Sequence, residues 1–439
     1  MVSARIGCSL RFWGSDLRNG SPIARHLADV KGSFRDPRRA RENAAARLRE
    51  LLRHACSTTS HYRRWQGEAD LSGFPVLPKR VIQENPAAFL SSALEPDALL
   101  TVSTSGSYGA PMRFRWTPET YARRRAELLY FSSWVGFRVG APFAQVTVHP
   151  SGSARLRRLN GFLVDPSVID GAWLEATRRL LTEERIEFVI GYPSSIGPLA
   201  EYCRTRGDDP AAFRVRAVVS SSEALRRETR EVVHTAFGCT VLDRYGANEL
   251  GILAQECPGH AALHVNVAGL VVELLARDGD APVAPGEAGR VVVTDLFSYA
   301  MPLIRYDTGD LAVAGPDPCP CGLGGPTLAR VEGRLVEQVR DPGGGLVNPL
   351  AIGGCTRGVD GILQYQFVQR GPAAYLVRIQ VGPTFRTEGV LHDRFRELLG
   401  PGATIEIRRV ESIPPLPSGK RPTILNELVG ASPGSRRSG

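Results

Sequence analysis

Along the first half of the chain the apolar positions repeat at helical spacing, and then the pattern changes. In ARENAAARLRELLRHAC, from Ala40 to Cys56, Ala and Leu recur every three to four residues between Arg and Glu, which predicts an amphipathic helix. Residues 118–134, PETYARRRAELLYFSSW, predict another. After them Val- and Ile-rich runs alternate with helical ones. AQVTVHP, FVIGYP, RVRAVVSSS and CTVLDRYG read as strands. GAWLEATRRLLTEE, SSIGPLAEYCRTR and EALRRETREVVHTAF read as the helices between them, the second opened by a serine cap. Such alternation implies a parallel α/β sheet, whose ligands bind at the carboxyl ends of its strands. The turns after VVSSS and VLDRYG are therefore the places to search for a site.

Beyond residue 260 the pattern is β-rich. LHVNVAGLVVELLA and GRVVVTDLF predict strands of a smaller distorted barrel or sheet. DPGGGL at 341–346 breaks the composition and predicts a flexible junction. QYQFVQR, YLVRIQV and ATIEIRRV then predict strands, with a helix at LHDRFRELLG, so the final unit is a small α+β domain. Residues 1–40 are polar, Arg-rich and weakly patterned, and are expected to be irregular; ASPGSRRSG at the end is expected to be disordered. The fold class is α/β: a large N-terminal domain of mixed and parallel sheets flanked by helices, a β-rich subdomain, and a small C-terminal α+β domain.

Composition narrows this picture. At 439 residues, 43% hydrophobic and 23% charged, the chain is neither wholly disordered nor a coiled coil. No run approaches the roughly 20 apolar residues of a membrane span, and the first residues lack the apolar centre of a signal peptide. A soluble, cytoplasmic protein is expected. The net charge is +9, but of 54 Lys and Arg only Lys31, Lys79 and Lys420 are lysine, and the arginines are scattered rather than grouped, which weakens a nucleic-acid reading. Where a surface charge suffices, Arg serves; a retained lysine points to a need for a compact ammonium with three rotatable donors.

Four segments carry chemistry. TVSTSGSYGAP (101–111) is a hydroxyl- and glycine-lined loop that can aim N–H and O–H donors at a phosphate, and no GK[ST] follows to make it a Walker loop. In LDRYGANELG (242–251), Tyr245 can stack on a purine, Gly246 permits close approach, and Glu249 is a candidate ligand for magnesium on a nucleotide. In MPLIRYDTGDLA (301–312), Asp310 follows a glycine in a tight turn and can accept from both hydroxyls of a ribose. In PPLPSGKRP (414–422), Lys420 sits in a Pro/Gly loop. A fifth pattern is Cys257 and His264 around PGHAAL, followed by CPCG with Cys319 and Cys321. Together they make a closed Cys₃His set suited to structural zinc, with His260 as the alternative fourth ligand. Cys8, Cys56, Cys203, Cys239 and Cys355 have no such grouping.

In their order and separation these segments resemble the acyl-adenylate-forming enzyme superfamily, and within it the phenylacetate–coenzyme A ligase branch. TSGSYGAP resembles the phosphate loop, which implies nucleotide contacts from Thr104, Ser105, Gly106, Ser107, Tyr108 and Gly109. SSSEAL (220–225) resembles the adenine-side segment with Ser222 and Glu223, and YGANE the stacking and magnesium motif with Tyr245, Gly246, Asn248 and Glu249. RYDTGD resembles the ribose motif of Asp310, VEGR the segment before the hinge with Arg334, and PSGK the motif of a catalytic lysine, Lys420. HYRRW and FPVLPK resemble the branch's N-terminal region. The loop has Tyr108 and Met112 where the family usually has Ser or Thr and Lys, and the hinge has Leu335, Val336 and Glu337 where acidic residues are common.

The resemblance implies residues 41–334 as an adenylation domain, 335–345 as a hinge and 346–430 as a mobile C-terminal domain, with 1–40 before and 431–439 after them. It implies ATP, Mg²⁺, coenzyme A and an acid as ligands. The acid, expected to be aryl or arylacetic, would meet Tyr130, Phe131, His149, Tyr192, Ser220, Gly246 and Ala247. Two other readings stand beside thioester formation. One transfers the acyl group to an amine, a hydroxyl or a carrier protein; the other is a non-catalytic, Arg-rich nucleotide- or nucleic-acid-binding protein. A homodimer is a further expectation.

Overall fold

The structure is a computed structural model; it describes residues 2–428 except 69, 104–111, 149–152, 277–278, 285, 333–338, 357–358, 383–384, 387 and 414–422. The segment expected to be irregular is helical. Helices α1 (Val2–Arg18) and α2 (Pro22–Arg35) form a hairpin that runs into α3 (Pro37–Thr58). Asp16 fixes the first turn: its two carboxylate oxygens accept from the backbone N–H groups of Ile23 and Ala24, both at 3.0 Å. Asp36 caps α3 by accepting from Arg38 and Arg39 N–H. Ser21-Pro22 and Asp36-Pro37 are the helix-start signals that the weak apolar spacing hid.

Next come the short α4 (Lys79–Glu84) and the hairpin of β1 (Leu100–Ser103) and β2 (Arg113–Trp116), paired Leu100 to Trp116. Helix α5 (Pro118–Ser133) follows, capped by the Thr117 hydroxyl. It packs on α2 through a buried ionic network. Glu127 accepts from Arg123 Nε at 2.8 Å and Arg124 Nη1 at 3.0 Å; Arg123 also meets Asp29, and Arg124 meets Asp295.

The α/β part then runs β3 (Phe143–Val146), α6 (Ser153–Arg158), β4 (Gly161–Val164), β5 (Val168–Ile169), α7 (Gly171–Glu183), β6 (Phe188–Gly191), α8 (Pro193–Thr205), β7 (Ala217–Ser221), α9 (Arg227–Phe237) and β8 (Thr240–Ala247). Strands β4, β3, β6, β7 and β8 are parallel neighbours in that order. Val146, Val189, Val218 and Val241 bury one face with Ile196, Leu199, Val233 and Phe237.

The β-rich part is not a separate barrel. Strands β9 (Gly251–Glu256), β10 (Leu263–Val265), β11 (Leu270–Leu275), β12 (Ala288–Asp295), β13 (Tyr306–Ala314) and β14 (Thr327–Glu332) extend the same sheet to 11 strands. The reason is the tight turn after β8. It sends β9 back antiparallel against β8, so hydrogen bonding continues across the change of direction.

The expected flexible junction is in part a hairpin, β15 (Val339–Arg340) with β16 (Leu346–Val347), whose second strand pairs with β5 of the main body. Asn348 adds a hydrogen bond from its side-chain amide to the Ser195 hydroxyl at 3.3 Å. The C-terminal unit continues through α10 (Pro349–Thr356), β17 (Ile362–Gln369), β18 (Ala374–Val381), α11 (Gly389–Leu399), β19 (Thr404–Arg409) and β20 (Ile424–Asn426). Its sheet has the order β19-β18-β17-β20 and is closed by Phe367, Tyr375, Leu391 and Phe395. Among the described residues no helix is long and apolar enough to cross a membrane.

Candidate active site

Two of the segments singled out in the sequence meet at the carboxyl end of β8, where they exchange hydrogen bonds. Tyr245, on β8, donates to Asp310 Oδ2 on β13 at 2.8 Å. Tyr306, on β13, donates in return to Glu249 Oε1 in the β8–β9 turn at 2.9 Å. Each segment thus contributes one tyrosine and one carboxylate, and each tyrosine orients the other segment's carboxylate. Tyr306 is 1% exposed and Glu249 8%, so water competes little for that second bond.

The surrounding loops are tied to this pair. Trp116 Nε1 donates to the Glu249 carbonyl at 3.3 Å, and the Asn248 amide donates to the Ser103 carbonyl at 3.2 Å. Both ends of the β1–β2 hairpin are therefore fastened beside Glu249. Its connection, including Thr104, Ser105, Gly106, Ser107, Tyr108 and Gly109, lies outside the described residues, as do His149, Arg334 and Lys420. Behind the turn, Arg305 holds the base of β13. It sits at φ 48°, makes a two-pronged contact with Glu273 at 3.1 Å on each arm, and donates to the Phe74 carbonyl at 2.8 Å. Leu77 N–H donates to the Arg305 carbonyl at 2.7 Å, so FPVLPK is the brace of the Asp310 segment.

Several of the expected site residues have partners within the fold. Glu223 meets the start of α8: its carboxylate accepts from Ser194 N–H at 3.0 Å and Ser194 O–H at 2.9 Å, and burial pushes its pKa up. Ser222, at φ 72°, makes the turn that sends it there. A Cβ at Gly246 would lie 2.8 Å from the Gly251 carbonyl, so this glycine serves the turn's own close packing. Tyr130 and Phe131 are core: they pack with Val30, Phe34, Ile252 and Ala268 between α5 and α2, the helix that the sequence left irregular. Ala247 packs at the edge of the core under β8.

Strand alternation divides the remaining pocket candidates. Ser220 falls on the face of Val218, under α7 to α9, where its hydroxyl is buried without a partner. Tyr192 extends β6 on the opposite face, that of Phe188, and its hydroxyl lies 3.0 Å from that of Thr147.

Cys257, His264, Cys319 and Cys321 converge: one donor atom from each lies within 4.8 Å of the others, and His264 Nε2 is 3.2 Å from Cys321 Sγ. Four ligands at zinc–ligand lengths of about 2.0–2.3 Å need this crowding. His260 is spent elsewhere, on Glu256 at 3.2 Å. Tyr306, Trp116 and Arg305 were missed in the sequence. The first and last lie inside the 301–312 segment, but nothing local marks an aromatic or Arg as a partner for a carboxylate far along the chain.

Residues 339–427 match the family model of the CapK C-terminal domain. A phenylacetate-coenzyme A ligase of Thermus thermophilus is 29% identical over 175 residues, covering 38% of this chain and 39% of that protein. One of Pseudomonas putida is 24% identical over 304 residues, covering 62% and 66%. The matched stretch thus spans about two-fifths to two-thirds of these relatives. The crystal structure of 2-hydroxyisobutyryl-CoA ligase, in complex with 2-HIB-AMP and CoA in the thioesterification state, shares the fold. Its TM-score is 0.62 at 19% identity, over 89% of this chain and 90% of that one.

Proposed function

We propose that the chain is an acyl-adenylate-forming enzyme of the phenylacetate–coenzyme A ligase-like branch, and that it activates a carboxylic acid with ATP and passes the acyl group to coenzyme A. In the first step a carboxylate oxygen attacks the α-phosphorus and pyrophosphate leaves. In the second the thiolate attacks the acyl carbon and AMP leaves. The observation that carries this reading is the reciprocal tyrosine–carboxylate exchange between the β8–β9 turn and β13. It holds two carboxylates at one strand end, and the reading gives one to ribose hydroxyls and the other to a metal.

Asp310 accepts from the ribose in this reading, and Tyr245 both offers a ring for the adenine and holds Asp310 in place. Glu249, oriented by Tyr306, is the residue that holds magnesium, which supplies positive charge to the phosphates when bound. Lys420 bridges the acid and the phosphate during adenylation. The Cys257, His264, Cys319 and Cys321 set holds a structural zinc, since all four ligands come from the protein and none is left for water. A movement of the C-terminal unit separates the two steps, with the β5–β16 pairing as one of its docked positions.

The test is a screen of aromatic acids with ATP, Mg²⁺ and coenzyme A, read by pyrophosphate release and product mass. An acyl-coenzyme A product supports the proposal. Pyrophosphate without a thioester, and an amide or ester when other nucleophiles are added, would move the acceptor. Absence of pyrophosphate with every acid would overturn it. Lys420→Ala is expected to abolish adenylation and spare transfer from a supplied acyl-adenylate.

A further inference from the structure

Four arginines are buried among the described residues. Arg123, Arg124 and Arg305 each meet a carboxylate. Arg244 does not. Its Nε donates to Gln255 Oε1 at 2.7 Å and its Nη2 to the Ser132 hydroxyl at 3.2 Å, both neutral groups. It is 5% exposed, and no carboxylate among the described residues comes within salt-bridge distance. Burial alone, with no neighbouring charge, draws its pKa down to about 10. Taking a guanidinium out of water without a counter-charge is costly, and the negative end of α5 beside Ser132 offsets only part of that cost. Two of its five N–H donors are used; three are free to meet a ligand.

Its place in the sheet says where that ligand would lie. Ser221 is the direct register partner of Arg244. The β6–β7 register carried one residue further sets Tyr192 beside Ser221, and Tyr192 touches Thr147. Thr147, Tyr192, Ser221 and Arg244 thus form a polar row across four parallel strands at their carboxyl ends, on the face toward α5. Thr147 and Tyr192 are nearly as buried as Arg244, yet Ser221 between them is partly exposed. Strand spacing of about 4.8 Å puts the Tyr192 and Arg244 backbones about 10 Å apart, with the small Ser221 between them.

We infer that Arg244 is the specificity-determining residue of the acid pocket, and that the acid carries a second carboxylate at the end remote from the reacting one. This rests on the acid-activation reading above and names the substrate class of that same site. The second carboxylate accepts from the free guanidinium N–H groups, while the Tyr192 and Ser221 side chains border the ring.

The test compares benzoate with isophthalate and terephthalate, and phenylacetate with phenylenediacetate. The readout is kcat/KM for pyrophosphate release by the full chain. A charge-assisted bond of this kind corresponds to a preference of roughly 10- to 100-fold for the diacids. Arg244→Met is expected to abolish that preference, and Arg244→Lys to retain part of it. Arg244→Met leaves the buried Gln255 Oε1 without its donor, so a thermal melt serves as the folding control and the acid ratio carries the test. Preference for monoacids in the native chain, or an unchanged acid ratio in Arg244→Met, would overturn the inference. If no acid releases pyrophosphate, the acid-activation reading fails instead. Equilibrium dialysis of terephthalate against the native chain and Arg244→Met then decides the Arg244 assignment: loss in the variant supports it, and equal retention sinks it.

Discussion

Replacing Tyr306 by phenylalanine removes one oxygen from the interior and leaves the ring where it is, edge-on to Phe114 at 6.3 Å. The lost bond is the 2.9 Å donation to Glu249. At 1% exposure no solvent replaces it. A hydrogen bond to a charged partner contributes about 1.5–3 kcal/mol. At about 1.4 kcal/mol per tenfold, that is a loss of roughly 10- to 100-fold if the bond acts fully in the transition state. The loss should fall on metal use, because Glu249 becomes free to rotate. The assay is the initial rate of pyrophosphate release over a magnesium titration, with a thermal melt as the control for folding. Half-saturation by magnesium should rise while the melting point moves little. Tyr245→Phe, which removes the 2.8 Å bond to Asp310 instead, should raise half-saturation by ATP and leave the magnesium curve alone. A native magnesium curve in Tyr306→Phe, or the same shift in both variants, would refute the assigned division of labour.

Three further outcomes follow from the packing. Glu127→Ala takes a shared carboxylate from buried Arg123 and Arg124, leaving each with one acidic partner, Asp29 and Asp295, and should cost about 3–5 kcal/mol in urea unfolding; a loss under about 1 kcal/mol would discredit the network as the α2–α5 joint. His61, stacked on Phe89 at 4.1 Å, is held neutral to about pH 4 by burial and by Arg64. An unfolded histidine takes a proton near 6.5. Stability from this group is therefore full above about pH 6.5 and falls as pH drops toward 4; His61→Phe should flatten that part of a melting-point profile, and an unaltered slope would count against it. Cys319→Ser should lower bound zinc, measured by elemental analysis, and reduce the melting point before it alters turnover. A metal-free native chain of full stability would remove the zinc site.

The parallel half of the sheet was legible because its strands are apolar on both faces and separated by helices of clear period; the serine expected to cap α8 does not, since its N-cap is Tyr192 with no side-chain cap bond. The same logic failed at α2. There Val30 and Phe34 meet Tyr130 and Phe131 from a helix about a hundred residues away, and a surface-like sequence gives no sign of it. The carboxylates Glu249 and Asp310 were readable from their turns, since a turn exposes a residue and limits what it can do. Their tyrosine partners were not, because each pairing joins two strands that only the completed sheet brings together. Glu223 carries a bond that its motif did not announce, accepting from an N–H at the start of α8. Arg244 lay unnoticed because, on an Arg-rich chain, a single arginine stands out only after burial has been measured.

The C-terminal unit is sewn to the body by main-chain groups at Val168, Ile169, Leu346 and Val347, so side-chain substitution there leaves the seam chemically intact. Any excursion of that unit must bare two short backbone edges to solvent together. Deuterium uptake at those amides would then rise and fall in step, giving a clock for the movement that needs no substrate analogue and no label on the protein.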